Sequence, residues 1–506
     1  MKRTLSLFLL ASMLLATACG SGEGTGNSTN EAGEDNTDAP DVTTELSREN
    51  TPDSLPDNLD FGGRTIRIIY NDDGLASSGA AVNEIEGIEN AGDVVNDAVF
   101  QRNIHVEERL NVKFEMTASN AHPDTYSADI QKVLLAGDDL YDIVVGTQYR
   151  QAVLALEGLF HDLSDAPYLD YSKPWWQDSY MNTSSIHADV RYMLIGDISL
   201  SMISNMSAVF YNRNLYKDNF GDPNDLYSTV LSGKWTADAM RKLMSDVYQD
   251  VNGDTIANPG DIFGMGTTKG SPTDHFVYCM GFQVTGRDGD GYPILLADQS
   301  RNAEVAETLY ELLYETEGVY LPSDAGEINT VIPKEFSDGH TLFLPARLSY
   351  AASMLREMKD DYGIIPHPKL NEQQKDYVTL VHDAANVYTI PVTCTDIDAV
   401  CAALEAMCAE NYRTAAPAYY EVALKVKYTR DDLSGQILDM IKNGAVTDFM
   451  YVNNYAFQNV TLGTICRVLM GNTGKEPTKD FMSSYESMKS SVETQLEKLI
   501  SEFKAK

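Results

Sequence analysis

Residues 250–261 form a loop rich in side-chain oxygen atoms. Oxygen donors stand at positions one, three, five, nine and twelve of these twelve residues, and a backbone carbonyl is available at position seven. The candidate metal ligands are Asp250, Asn252, Asp254, Ile256 and Asp261. The spacing is typical of a calcium loop, although Thr255 replaces the usual glycine at position six and Asp261 replaces a glutamate at position twelve. The sequence predicts either a structural Ca²⁺ site or an Asx-rich turn without metal, and it requires no other cofactor.

Two adjacent tryptophans, Trp175 and Trp176, follow Pro174. In an extended segment, neighbouring side chains point to opposite sides, so one indole is expected in the core and the other in a cleft. An exposed indole offers a flat apolar face that can stack on a sugar ring. The alternative is that both indoles belong to the core.

Known catalytic motifs do not occur in the sequence, which contains no GxSxG, no HExxH, no P-loop and no Cys/His cluster. A carboxylate pair for glycoside hydrolysis cannot be selected by spacing, because the chain has 75 acidic residues. A formal net charge of -37 at pH 7 argues against nucleic-acid binding, which requires clustered basic side chains. We expect a protein that is not an enzyme and has a solvated acidic surface.

The cysteines other than Cys19 are odd in number and contain no CxxC pair: Cys279, Cys394, Cys401, Cys408 and Cys466. Cys401 and Cys408 lie on one apolar face of a predicted helix, which favours buried thiols. A disulfide between Cys394 and Cys401 is the alternative.

The N-terminus has the pattern of a secretion signal. Basic residues at positions 2 and 3 precede an apolar run that is too short for a stable membrane span. The run ends in small residues before Cys19, which resembles the lipobox of bacterial lipoproteins. We therefore expect residues 1–18 to be a lipoprotein signal peptide and Cys19 to carry two acyl chains, enough for stable anchoring. Ordinary cleavage after Ala18 is the alternative.

Residues 19–60 are rich in Gly, Ser, Thr, Asn and acids. They have too few apolar side chains to offset the entropy lost on ordering, so we predict a disordered acidic tether.

An alternation of strands and helices follows the tether. Strands are predicted at 65–70, 112–116 and 142–145, with helices at 93–110 and 126–136 between them. This alternation predicts a parallel sheet, whose ligands lie beyond the carboxyl ends of its strands. The residues leaving those ends include Asn71, Asp72, Gln148 and Tyr149.

A second lobe is predicted to begin with strand 208–212 and to include a helix capped by Thr236, with Trp235 packing beside the cap. Later segments predict strands near 341–344, 362–366 and 383–390 and helices at 301–317 and 481–503.

Several segments together resemble the extracellular solute-binding lipoproteins of ABC sugar importers, family 1. They include the lipobox, Lys173-Pro174-Trp175-Trp176, Gly233-Lys234-Trp235-Thr236, the 250–261 loop, Phe336-Ser337-Asp338-Gly339 and residues 362–369. The resemblance implies an α/β, two-lobed periplasmic-binding-protein-like type II fold with the ligand cleft between the lobes. It also implies that residues 61–205 and 362–409 form lobe 1 and that 206–361 and 410–506 form lobe 2. Relatives that bind alginate carry a similar calcium loop.

The family resemblance also implies a function. We expect a monomeric receptor on the outer face of a Gram-positive cell membrane that passes a sugar or oligosaccharide to an ABC permease and is held by its lipid only. Cleft regions carried over from the family are the loops at Asn71 and Tyr149, the tryptophan pair, and the segment with Arg347 and Tyr350. A peptide or other polar metabolite as ligand, or a secreted carbohydrate-active enzyme, are the alternatives.

Overall fold

The computed structural model describes residues 47–72, 84–89, 92–420, 432–457 and 462–505. The strands are β1 (Arg64–Asn71), β2 (Val112–Ser119), β3 (Ile143–Thr147), β4 (Ser207–Asn212), β5 (Phe263–Gly266), β6 (Thr285–Arg287), β7 (Pro293–Leu295), β8 (Val319–Tyr320), β9 (Thr341–Arg347), β10 (Tyr362–Ile365), β11 (Thr379–Leu380), β12 (Asn386–Thr389) and β13 (Ala445–Val446). The predicted signal peptide, Cys19 and residues 20–46 lie outside the described residues.

Helices connect these strands and complete the C-terminal part. They are α1 (Val94–Leu110), α2 (Pro123–Ala136), α3 (Gln148–Glu157), α4 (Asp178–Ser184), α5 (Leu200–Ser204), α6 (Arg213–Phe220), α7 (Asn224–Leu231), α8 (Ala237–Val247), α9 (Ser271–Cys279), α10 (Ser300–Tyr314), α11 (Val331–Ser337), α12 (Asp398–Arg413), α13 (Ala415–Pro417), α14 (Asp432–Asn443), α15 (Phe449–Val452), α16 (Ile465–Leu469) and α17 (Phe481–Lys504). None of the helices within the described ranges has the length and apolar character needed to span a bilayer.

The first sheet has the strand order β12-β3-β1-β2. Strands β1, β2 and β3 are parallel, with Ile68 of β1 opposite Met116 and Ile143. This confirms the predicted strand–helix alternation, and Asp93 caps α1 by accepting from the N–H groups of Val95 and Asn96. We call this sheet, with the helices packed on it, the first lobe.

The second sheet has the strand order β10-β4-β9-β5-β8. β4 is antiparallel to β9 and β10, whereas β5 is parallel to β9 and β8. Thr236 caps α8 through the N–H of Ala239, as predicted, and Trp235 is buried with its indole N–H donating to the carbonyl of Pro366. We call this sheet, with its helices, the second lobe.

Within the described residues before α12, the chain passes between the two sheets at two neighbouring segments. The first crossing precedes β4, and the return lies between β11 and β12. The two crossings run side by side, because the N–H of His382 donates to the carbonyl of Asn205 at 2.9 Å and Met206 forms a β-bridge with Val381. Two adjacent crossings form a natural hinge.

The predicted return to the first lobe at Tyr362 is wrong. The strand β10 pairs with β4 of the second sheet, where Ile364 and Ile365 are buried. The return occurs about twenty residues later, at His382 to Asn386. The predicted end of this first-lobe segment at residue 409 is also too early. The helix α12 continues to Arg413 and packs on α1 of the first lobe.

The C-terminal helices divide between the lobes. α14 packs on β10 and α7, and α17 packs on α10 and α16, so most of this part covers the second lobe, as the family resemblance implied. The short helix α15 and the 3₁₀ helix Asn454–Phe457 instead pack on α3 of the first lobe.

Residues 47–60 are ordered, which corrects the predicted extent of the tether. Arg48 pairs with Asp197 at 3.1 Å, and Asp53 pairs with Arg109 and Arg413 at 2.7 and 3.0 Å. Leu55 is buried. One apolar side chain and these ion pairs fasten a segment whose composition alone predicts disorder.

The five cysteines of the described residues are buried free thiols, which confirms the first prediction and excludes the Cys394–Cys401 disulfide in this structure. Burial raises the pKa of the Cys394 thiol to about 11 and that of Cys401 to about 12.

Candidate functional site

A pocket of about 270 Å³ lies beside the two crossings. Residues from both lobes and from the C-terminal part line it: Tyr149, Ser271, Arg347, His382, Asp383, Ala384, Asn454, Tyr455 and Arg467. Tyr149 follows β3 in the first turn of α3, and Arg347 is the last residue of β9 in the second sheet. A ligand in this pocket would contact both lobes next to the hinge.

Backbone hydrogen bonds fix the first-lobe wall. The N–H groups of Gln148 and Tyr149 open α3, where they have no partner within the helix. They donate to the carbonyls of Ala385 at 2.9 Å and Asp383 at 3.2 Å. The start of α3 therefore holds the return crossing, and Tyr149 and Asp383 share one rigid wall.

Arg467 and Arg347 supply positive charge on the other walls. Arg467 projects from α16 and forms an ion pair with the fully buried Asp274 of α9, its Nε donating to Oδ2 at 2.7 Å. Arg347 is about 9% exposed, and its Nη1 donates to Oδ1 of Asn205 in the first crossing at 3.1 Å.

Two titratable groups of the return crossing have altered pKa values. Burial raises the pKa of Asp383 to about 7, against the opposing effect of the Arg467 charge. Burial also lowers the pKa of His382 well below its usual value, and the charges of Arg347 and Arg467 lower it further. His382 is therefore neutral near pH 7, and burial favours the protonated form of Asp383.

An aromatic pair forms the remaining wall. The rings of Tyr149 and Tyr455 lie with centroids 5.1 Å apart at 32°. The Arg150 guanidinium lies 3.9 Å from the Tyr455 centroid and is held by Asp124, to which its Nε donates at 2.7 Å. Tyr455 is 37% exposed and lines the pocket with Arg347 and Arg467, so its aromatic side chain can reach a bound ligand.

The structure brings two of the predicted site residues, Tyr149 and Arg347, into this pocket. Gln148 is buried behind the wall, where its Oε1 accepts from the Tyr180 hydroxyl at 2.9 Å. The other predicted residues of strand ends and of the second lobe lie elsewhere. Asn71 donates to the carbonyls of Ser119 and Ala121, while Asp72 is exposed at the end of β1.

Tyr350 is not part of the pocket wall. Its side chain is buried, and its hydroxyl donates to Oδ1 of Asn329 at 2.6 Å. It therefore supports the 3₁₀ segment Ala325–Asn329 of the second lobe.

The tryptophan pair lies in the core, which corrects the expectation that one indole lines the cleft. Trp175 is fully buried and Trp176 is 5% exposed. Both indole N–H groups donate to the carboxylate of the buried Glu405, at 3.2 and 2.8 Å respectively. Both indoles point into the core because they share Glu405 as acceptor, whereas side-chain alternation along an extended segment predicts that they point to opposite sides.

Sequence reasoning missed several pocket residues: Ser271, His382, Asp383, Asn454, Tyr455 and Arg467. The segment 383–390 is predicted as a strand, and its first residue could have been recognised as a strand-end carboxylate. The residues after 450 carry no local pattern that indicates a pocket, because the packing of α15 and α16 brings them there.

The loop at 250–261 satisfies its own oxygen atoms. Asp250 accepts from the N–H groups of Gly253 and Thr255, and Asp261 accepts from those of Val251 and Asn258. Among the described residues, no group of three or more His, Cys, Asp or Glu side chains is arranged to hold a metal ion. The loop has the hydrogen bonding of an Asx-rich turn, and the calcium site stays a prediction.

Solved structures resemble the whole described fold. UgpB from Mycobacterium tuberculosis, in complex with glycerophosphocholine, matches with a TM-score of 0.55 at 13% identity, over 86% of this chain and 99% of that one. The GacH receptor of Streptomyces glaucescens matches with a TM-score of 0.53 at 11% identity, over 86% and 99% of the two chains. An ABC substrate-binding protein from Listeria monocytogenes, in complex with cycloalternan, matches with a TM-score of 0.52 at 12% identity, over 87% and 99%.

This chain has the fold of the ABC transporter solute-binding proteins. No protein-family model matches the sequence, and no curated protein matches it either. The solute-binding-protein fold confirms the predicted fold class, a two-lobed α/β architecture of the periplasmic-binding-protein-like type. The pocket beside the crossings lies between the two sheets of that fold.

Proposed function

We propose that the chain is the extracellular substrate-binding protein of an ABC importer, a receptor that captures a sugar or oligosaccharide by hinge closure and delivers it to the permease. The observation that carries the proposal is the position of the pocket. Tyr149 belongs to the first lobe, Arg347 to the second, and the two crossings run between them. A ligand that contacts both walls stabilises the closed arrangement over the open one, as population shift requires.

The composition of the wall supports small polar ligands. A half-exposed aromatic ring and several polar groups converge on a space of about 270 Å³, which suits one or two sugar rings and not a folded partner. Two structures of similar fold are complexes with cycloalternan and with glycerophosphocholine. Capture and release need no catalytic group, so the proposed receptor is not an enzyme.

A specific observation favours a second ligand class, a charged polar metabolite. The terminal or ionic charges of such a ligand require charged side chains in the cleft to pair with them. Arg347, Arg467 and Asp383 do converge there. The ligand class is therefore the first quantity to measure.

The N-terminal sequence supports the proposed anchoring and location. Lipid on Cys19 would hold the receptor at the outer face of the membrane of a Gram-positive cell, with the segment before Ser47 as spacer. The ABC permease is the membrane partner, and a monomer suffices for capture. Mass spectrometry of the mature N-terminal peptide tests this, since a diacylated Cys19 supports anchoring and a free cysteine contradicts it.

A thermal-shift screen of the full chain, purified in a non-ionic detergent, tests the proposed function. Oligosaccharides, peptides and polar metabolites are added over a range of concentrations, and each hit is analysed for products. A receptor is stabilised by mass action and leaves its ligand intact. Conversion of any hit identifies the chain as an enzyme and overturns the proposal.

A further inference from the structure

Two arginines line the pocket of a strongly acidic protein. The chain has a formal net charge of -37 at pH 7, with 38 basic residues against 75 acidic ones. Such a protein repels anions at long range, so an anionic ligand needs positive charge at the place where it binds. Placing Arg347 and Arg467 on two walls of one pocket therefore indicates a ligand with negative charge.

Arg467 lines the pocket, and Asp274 holds one edge of its guanidinium. Nε and Nη2 both donate to the same oxygen of Asp274, Oδ2, which fixes the plane of the group. Nη1 makes no hydrogen bond within the described part of the chain, and the side chain is 26% exposed. A planar donor held in this way is suited to a carboxylate or phosphate oxygen.

Arg347 is fixed at the hinge. Its Nη1 donates to Asn205, a residue of the first crossing, and its side chain lies at the end of β9. Arg347, Arg467 and the return-crossing residues His382 and Asp383 line the same pocket.

We propose that the ligand carries an anionic group, a carboxylate or a phosphate, which Arg347 and Arg467 bind while the exposed ring of Tyr455 packs against the ligand's sugar or polyol body. This inference rests on the proposed receptor function and deepens it by naming an acidic ligand. Each contact between a guanidinium and the anion is a charge-assisted hydrogen bond in a partly desolvated site.

The carboxyl group of Asp383 is compatible with an anion. Burial raises its pKa to about 7, and an adjacent anionic ligand raises it further, because like charges disfavour ionisation. The protonated carboxyl then donates a hydrogen bond where the ionised form would repel.

Binding titrations of the full chain in detergent, with two matched pairs of probes, test the inference. The first pair is digalacturonate and its neutral methyl ester, and the second is glucose 6-phosphate and glucose. We expect at least one acidic probe to bind at least tenfold more tightly than its neutral counterpart. The pair that shows this difference tells a carboxylate ligand from a phosphate ligand.

Substitutions test whether Arg347 and Arg467 bind the anionic group of the probe. Arg347→Gln and Arg467→Lys are each expected to weaken binding of the acidic probe at least tenfold, and the lysine keeps a cation beside Asp274 so that the fold is retained. Arg356→Gln changes an exposed arginine away from the pocket wall and is expected to leave binding unchanged. Circular dichroism checks that each variant is folded.

The outcomes separate the inference from the proposed function. Neutral probes that bind as tightly as acidic ones, or acidic probes that all fail to bind, overturn the inference. The receptor function survives if any intact neutral ligand binds, and it fails if a probe is converted to product.

Discussion

Glu405 accepts a hydrogen bond from the indole N–H of Trp176 at 2.8 Å, with both side chains buried. The same carboxylate accepts from Trp175 and from the backbone N–H of Asp170, both at 3.2 Å. One acidic side chain of α12 therefore organises the aromatic segment of the first lobe.

Replacing Glu405 by alanine is expected to lower the free energy of unfolding by about 2–4 kcal/mol, because it leaves three donors without an acceptor and creates a cavity. Glu405→Gln keeps one acceptor oxygen and fills the space, so its effect is expected to be about half as large. Urea denaturation of both variants measures the difference. Equal destabilisation by the two substitutions would contradict an acceptor role.

The stability of the wild-type protein is expected to depend on Glu405 between pH 4.5 and 7. Burial raises the pKa of Glu405 from 4.5 to about 7, so the folded state binds more protons than the unfolded state in this window. The stabilising contribution is fully present below pH 4.5 and is lost as the pH rises through about 7, by an amount on the order of 3 kcal/mol. Glu84 and Asp383, whose pKa values are also raised to about 7, act in the same direction. The free energy of unfolding of Glu405→Gln should fall less steeply with rising pH than that of the wild type.

Asp53 should stabilise the protein at neutral pH and lose this effect in acid. Burial raises its pKa, but hydrogen bonds from Arg109 and Arg413 outweigh burial and lower the pKa to about 2. The contribution is present above about pH 4 and is lost as the pH falls through about 2. Asp53→Asn is expected to lower the free energy of unfolding by about 2 kcal/mol at pH 7 and to have little effect near pH 2. Glu49→Gln, at an exposed position nearby, is the control and should change little at either pH.

The ring of Tyr455 is expected to contribute to ligand affinity through its apolar face. Tyr455→Ala should weaken binding of whichever ligand the screen identifies by about 5- to 20-fold, an effect of about 1–2 kcal/mol. Tyr455→Phe keeps the ring and should retain most of the affinity. Isothermal titration calorimetry measures the ligand affinity of both variants. An undiminished affinity in Tyr455→Ala would show that the ring does not contact the ligand.

Thr255 has a backbone φ of 63°, a conformation that a β-branched residue rarely adopts. Thr255→Gly is expected to raise the free energy of unfolding by about 1 kcal/mol, because the relieved strain exceeds the added entropy of glycine. Thermal unfolding measures this effect, with Thr316→Gly as a substitution outside the loop. Repeating the measurement with Ca²⁺ and with a chelator tests the calcium prediction, which requires a higher unfolding temperature when the ion is present.

The strand and helix pattern of the first lobe is predictable from sequence because its signals are local. β1 and α1 show the periodicity of their apolar residues, and Thr236 stands directly before the helix that it caps. Local sequence patterns do not predict the structure of segments whose conformation depends on contacts with distant residues. Residues 191–195 have the apolar pattern of a strand, but in the structure Leu194 forms an isolated bridge with Tyr388.

The pocket was predictable in part. Tyr149 follows a parallel strand, whose carboxyl end is a general place for ligands, and Arg347 was carried over from the resemblance to a family. Arg467 and Tyr455 come from the C-terminal part, which reaches the first lobe only through the packing of α15 and the 3₁₀ helix beside it.

The sequence by itself determined the alternation of strands and helices, the caps and the acidic surface, because each depends on neighbours within a few residues or on composition. Only the tertiary structure decided three features: the burial of the tryptophan pair, the return of the chain to the first lobe at His382, and the presence of Arg347 and Arg467 in one pocket. Trp175 and Glu405 are 230 residues apart in the chain, and Arg467 and Asp274 are 193 apart. Contacts over such separations form because folding brings distant buried polar groups together to satisfy their hydrogen bonds and charges, which no local pattern records.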